Sequence, residues 1–151
     1  VMAGKVDLCL EIKNYPKSLP GIELKILFIL SRYDYLDRTI VSSFDYRCLS
    51  RVRELAPEIA IGLILGSAVK QDPIEAARQL AATSLHVQKN LVTREFLASA
   101  WEEGLDVHVW TVNELRDMDA FVSMGVQGVI SDFPDRLAKL KLRATGAVPP
   151  S

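Results

Sequence analysis

The stretch Leu8-Cys9-Leu10-Glu11-Ile12-Lys13 carries the period of two that a β-strand imposes on its side chains. Leu8, Leu10 and Ile12 fall on one face, and Cys9, Glu11 and Lys13 on the other. Opposite charges at the C-terminal end of one strand face are costly beneath a packed layer but suit a mouth that solvent reaches. The residue chemistry leaves two readings open. Glu11 can offer a carboxylate to a hard divalent cation while Lys13 presents a compact positive charge to an anion such as phosphate, or the two form a rim salt bridge.

Outward from this strand, short aliphatic or β-branched runs alternate with longer amphipathic segments, the signature of repeated strand-helix units and a parallel sheet. Strands are predicted over Leu8–Lys13, Thr39–Phe44, Ile59–Leu65, Ser84–Val87, Val107–Val112 and Gly128–Ser131. Helices are predicted over Ile22–Arg32, Tyr46–Ala56, Pro73–Ala82, Arg94–Glu103, Glu114–Met124 and Pro134–Leu142. Asp72-Pro73 and Phe133-Pro134 place proline at a helix start, Thr93 and Asn113 are candidate N-caps, and Gly104 and Gly125 are candidate stops. These six units fill a chain of 151 residues, whereas a closed (β/α)₈ barrel takes about 250. The pattern accommodates an open doubly wound sheet equally well, although the turn Lys13–Gly21 lacks a G-x-G-x-x-G.

Composition narrows the function classes. Eighteen Lys and Arg against nineteen Asp and Glu give a net charge of −1, so no field of one sign recruits nucleic acid or an anionic membrane. No apolar run approaches the roughly 18 residues needed to span a bilayer. Cys9 and Cys48 each lie in a hydrophobic stretch without CxxC spacing, and are expected to be buried thiols in a reducing compartment. Val1 to Lys5 lack the charged start and apolar middle of a signal peptide, and a cytoplasmic location is expected, with export left open because the true start can precede Val1.

The segments resemble, in order, those of the glycerophosphodiester phosphodiesterase family. Glu11-Ile12-Lys13 resembles its "EIK" strand, and Ser42-Ser43-Phe44-Asp45 its "SSFD" strand end. Gly104–Asn113, with Val109-Trp110-Thr111-Val112-Asn113, resembles the segment Gly-x-x-V-x-V-W-T-V-N. Gly125–Pro134 is similar to the closing "GVDGIITDYP". Together they run from about Leu8 to Leu137, nearly the whole chain.

The resemblance implies an α/β fold of the TIM-type (β/α) barrel, with strands three to eight present over residues 1–143 and the first two βα units missing. It implies metal-dependent hydrolysis of glycerophosphodiesters to glycerol phosphate and an alcohol. Glu11 is then a carboxylate ligand of magnesium or calcium, and Lys13 a catalytic residue facing the phosphate. Trp110 matches a tryptophan near the substrate pocket, with core filling as the other reading. His86 lies where the family often has a polar pocket residue, against the reading of a satisfied core histidine, whereas His108, one residue pair deeper than Trp110, looks structural. Ser42 and Ser43 have no nucleophile elbow and read as strand-end hydrogen bonders, and Asp132 as a capping and turn residue. Lys70, Lys89 and Asn90 fall in loops that could touch substrate.

The family's His-Arg-Gly strand, Glu-x-Asp ligands and His-Asp segment have no counterpart before Val1, so this chain alone is expected to be inactive. Open sheet edges along Leu8–Lys13 and Gly128–Ser131 are then available for self-association or for pairing with the missing part. Two other readings stand beside this one: an inactive barrel remnant serving as an interaction module, and a related phospholipid-cleaving phosphodiesterase. Ala144–Ser151, with Gly146 and Pro149-Pro150, is expected to be a flexible tail.

Overall fold

The structure, a computed structural model, describes residues 6–14, 19–67 and 72–138. It is an α/β fold in which β1 (Leu8–Glu11), α1 (Ile22–Arg32), β2 (Thr39–Ser43), α2 (Tyr46–Leu55), β3 (Ala60–Leu65), α3 (Pro73–Gln79), β4 (Ser84–Gln88), α4 (Arg94–Glu102), β5 (Asp106–Trp110), α5 (Leu115–Met124) and β6 (Gly128–Val129) follow one another. Six of the predicted strands and five of the predicted helices are present among the described residues, α1 with the predicted bounds and no end shifted by more than three residues. Residues 134–138 of the predicted Pro134–Leu142 helix are helical; its remainder, the tail Ala144–Ser151 and the loop candidate Lys70 lie outside the described residues.

The chain forms two compact units, Val1–His86 and Val87–Ser151, with the division inside β4. In the first unit the strands lie in the order β1-β2-β3-β4. β1 and β2 pair in parallel with Leu10 opposite Val41 and Glu11 opposite Ser42, and β2 and β3 in parallel with Val41 opposite Ile61 and Ser42 opposite Gly62. This register puts Leu10, Val41 and Ile61 in one row, with Val41, Ile61, Leu63 and Leu85 wholly buried. α2 and α3 pack on these strands, and α2 turns Cys48, Leu49 and Val52 inward while Arg47, Ser50, Arg51 and Glu54 stay in water. Burial of Cys48 beside the Glu23 carboxylate pushes its thiol up to about 12. Cys9 corrects the expectation of two buried thiols, because its face of β1 is exposed.

Local chemistry explains the helix ends. Asp72 caps α3 by accepting from the Ile74 and Glu75 amides, and Pro73 opens the helix. α3 stops at Gln79, three residues short of the sequence expectation, because Ala81 takes a left-handed φ of 47°. That conformation lets the Ala82 amide reach the Ala77 carbonyl at 2.9 Å and close the helix end. Arg53 from α2 donates to the Leu80 and Ala81 carbonyls at 3.2 and 2.9 Å and to that of Pro57.

The face of the first unit opposite the helices is lined by small and polar groups. His86, 2% exposed, has Nε2 3.2 Å from Ser84 Oγ and Nδ1 3.9 Å from Cys9 Sγ. Gly62 makes room for the ring: a methyl group there would lie 2.6 Å from His86 Nε2 and 3.0 Å from Ser84 Oγ.

In the second unit the strand order is β4-β5-β6, and β5 and β6 pair in parallel with His108 opposite Gly128. Val107, Val109, Leu97, Ala100 and Met118 form its core. Thr93 caps α4 through the Phe96 amide, and Gly125 ends α5 at φ 90°, both as expected. Asn113 does not cap α5: Glu114 stands at that position without a side-chain cap bond.

The close approach at Gly62 generates a stability prediction. Gly62→Ala overpacks a site with no slack and should cost about 1–3 kcal/mol. Adding His86→Ala should recover most of that loss in urea unfolding. Equal destabilisation in the single and double variants would mean that the ring is not what confines Gly62.

Candidate active site

The period of two fixes where the Leu8–Lys13 side chains go. Glu11 ends β1 in the row of Ser42 and Gly62, on the face away from the helices, and Lys13 follows two residues past the strand. Lys13 Nζ lies 3.9 Å from Glu11 Oε2, with the lysine side chain 79% exposed and that of the glutamate 36%. An ion pair this long and wet contributes at most about 1 kcal/mol, so it leaves the ammonium free to meet a stronger anion.

The backbone around Lys13 is held by the expected strand-end hydrogen bonds of Ser43 and by an Asn14 contact that the sequence did not announce. Ser43 Oγ donates to the Ile12 carbonyl at 2.7 Å and accepts from the Asp45 amide at 3.0 Å. Asp45 caps α2 by accepting from the Arg47 and Cys48 amides. The buried Asn14 donates to Asp45 Oδ2 at 3.4 Å and accepts from the Leu19 amide at 2.6 Å. The loops after β1 and β2 are thus tied on both sides of Lys13. Asp before a helix-starting Tyr46 was a legible cap signal; the Asn14 contact, 31 residues away in sequence, was not. Ser43 and, at 3.4 Å to the Leu10 carbonyl, Ser42 act as strand-end hydrogen bonders.

Of the remaining candidates in this unit, His86 is enclosed beneath that face by Cys9, Ser84 and Gly62. Among the described residues no three His, Cys, Asp or Glu side chains gather where they could hold a metal ion. Glu11 has a lysine, not a second carboxylate, as its charged neighbour.

The second unit is described by itself. Trp110 ends β5, half-buried. His108, two residues earlier, packs its ring on Gly128, where an added methyl group would lie 2.7 Å from Cδ2, and burial holds its pKa below the ordinary imidazole value. Beyond the strand ends, Asn113 Oδ1 accepts from Ser131 Oγ and the Asp132 amide, while Asn113 Nδ2 donates to Asp132 Oδ2 at 2.9 Å. Asp132 therefore fixes a loop through Asn113, and the Phe133 amide donates to Ser131 Oγ. Arg136 stacks 4.2 Å over the Phe133 ring and donates to the Asn113 carbonyl. Lys89, expected as a loop residue, lies in a 3₁₀ turn with its ammonium 3.1 Å from Asp117 Oδ2. Asn90 beside it is exposed.

Comparison with known proteins sets this geometry in a family. A glycerophosphodiester phosphodiesterase of Caldanaerobacter subterraneus is 32% identical over 131 residues, which are 87% of this chain and 54% of the relative. One of Bacillus altitudinis is 28% identical over 134 residues, with the same shares of the two chains. The solved structure of an Oleispira antarctica phosphodiesterase, in complex with the product sn-glycerol-3-phosphate, superposes with a TM-score of 0.76. It is 23% identical and covers 88% of this chain and 54% of its own. The chain spans about half the length of the curated relatives it matches. Residues 5–136 match the family model throughout, and the chain belongs to the glycerophosphoryl diester phosphodiesterase family.

Proposed function

We propose that this chain corresponds to the last six strand-helix units of a (β/α)₈ hydrolase of glycerophosphodiesters, and that Glu11 and Lys13 are its contribution to the reacting centre. The observation that carries the reading is the pair itself: two charges at the end of β1, 3.9 Å apart, exposed, and not consumed by the surrounding protein. In the reaction, water adds to phosphorus, the bond from phosphorus to the alcohol oxygen breaks, and the departing alkoxide takes a proton. Negative charge grows on the non-bridging oxygens as this happens, and the Lys13 ammonium stabilises that charge. Trp110, taken within the second unit by itself, ends β5 half-buried and offers the kind of broad aromatic face that packs on glycerol carbons. His86, enclosed and with both ring nitrogens near polar groups, supports the floor of this face in place of touching substrate.

The metal needs separate treatment. Magnesium and calcium take about six to eight oxygen ligands, and one carboxylate beside a lysine does not fit an ion held by the described residues. Glu11 serves as a ligand only alongside carboxylates supplied from elsewhere. That donor shortage also favours a second reading, in which the 151-residue chain by itself keeps the fold and works as an interaction module.

Two predictions separate these roles. The 151-residue chain, incubated with glycerophosphocholine and excess magnesium or calcium, should release glycerol phosphate no faster than a buffer blank. Metal-dependent turnover abolished by His86→Ala would overturn both the donor argument and the assignment of His86.

In a family-length polypeptide that contains this segment, Glu11→Ala should raise the metal concentration for half-maximal activity at least about tenfold. Lys13→Ala should lower turnover about 10²-fold with that concentration unchanged. Metal titration with activity readout on both variants decides the matter: equal loss of metal response in the two would refute the division.

A further inference from the structure

We infer that Asp45 and Asn14 are positioning residues for Lys13, acting on a bound phosphate only through it, by pinning the backbone that carries its side chain. The inference rests on the reading of Lys13 as the phosphate-facing group and adds what sets the place of that charge. Packing does not set it: the lysine side chain is 79% exposed, and its ion pair with Glu11 spans 3.9 Å. An ammonium on a flexible four-carbon stem is then placed by where the stem is rooted.

Both flanks of that root are tied to the end of β2. Before Lys13, the Ile12 amide donates to the Ser42 carbonyl at 2.8 Å and the Ile12 carbonyl accepts from Ser43 Oγ at 2.7 Å. After it, the buried Asn14 side chain accepts from the Leu19 amide through Oδ1 and donates through Nδ2 to Asp45 Oδ2. Asp45 is the shared point. Its amide donates to Ser43 Oγ at 3.0 Å, and its Oδ1 accepts from the Arg47 and Cys48 amides at 3.0 and 3.4 Å. α2, anchored through Cys48, Leu49 and Val52, gives the tether a fixed post.

One oxygen of Asp45 caps the helix and the other holds Asn14, so the two duties can be separated. Asparagine caps a helix as well as aspartate does. In Asp45→Asn the side-chain oxygen must stay toward the Arg47 and Cys48 amides, which turns an NH₂ group toward Asn14 Nδ2, donor against donor. Rotating the Asn14 amide only moves the mismatch to the Leu19 amide. A second change, Asn14→Asp, restores complementarity, because one carboxylate oxygen then accepts from Leu19 and the other from position 45. The charge effect runs the other way from the positioning effect. Removing the Asp45 carboxylate would by itself tighten the binding of an anion, whereas loosening the root of Lys13 weakens it.

The test uses the isotope-labelled 151-residue chain, with sn-glycerol-3-phosphate as the probe and two readouts: the backbone order parameter of Lys13, and the dissociation constant from its side-chain shifts. Asp45→Asn should lower the order parameter from about 0.85 to below about 0.6. It should also raise the dissociation constant at least about threefold, with the helix content and urea midpoint held by the retained cap. Asn14→Asp added to Asp45→Asn should bring both readouts back to within about twofold of the parent. Asn14→Leu, which leaves the cap untouched, should reproduce the weakening without relying on Asp45 at all. Unchanged order at Lys13 in Asp45→Asn and Asn14→Leu would overturn the tether. Lower order with unchanged or tighter binding, or a double variant no better than the single, would overturn the positioning role. Lys13 silent to the probe in the parent chain would instead overturn the reading of the site on which the inference rests.

Discussion

A β-strand sends successive side chains to opposite faces, and in Leu8–Lys13 that rule separates the apolar residues the fold needs from the charged pair proposed for chemistry. Leu10 joins Val41 and Ile61 in the row that meets the helices, while Glu11 joins Ser42 and Gly62 in the row that does not. A slip of one residue in the β1 register would turn Glu11 and Lys13 to the face of the sheet that the helices cover and bring Leu8, Leu10 and Ile12 to the other. Neither charge could be tolerated there without a partner. The register is therefore the constraint on which both the core and the candidate site depend.

Loop hydrogen bonds then fix what the strand leaves loose. Ser43 and Asn14 hold the backbone on either side of Lys13, and Asp45 links them to the start of α2. In the second unit Asn113 plays the corresponding part for Ser131 and Asp132. In both cases the polar residues beyond the strands are engaged in positioning backbone, whereas Glu11 and Lys13 remain in water with only a long ion pair between them. That difference is what marks them as available for a ligand.

Local signals made the elements legible. Asp72-Pro73, Thr93 and Gly125 act through neighbours one to four residues away, and their caps and stops stand where the sequence puts them. Contacts between distant loops leave no such trace: Asn113 looks like a cap but is drawn to residues 18 and 19 positions on. The end of α3 was missed because Ala81 adopts a backbone conformation that its side chain does not advertise. Cys9 sits in an apolar stretch, yet its exposure depends on what faces β1, which a strand's own pattern does not encode. The motif residues Glu11 and Lys13 were legible as a pair, and the structure adds their separation and their exposure.

The availability of Lys13 to phosphate can be measured on the chain itself. Titration of the isotope-labelled protein with sn-glycerol-3-phosphate, followed through the lysine side-chain resonances, reads the contact without requiring turnover. The expected result is a saturable shift of the Lys13 signals, lost in Lys13→Ala and reduced by salt, with Lys25 on α1 unaffected. Shifts confined to other lysines, with Lys13 silent at tens of millimolar ligand in a folded protein, would contradict the assignment of this strand end as the phosphate-facing part of the site.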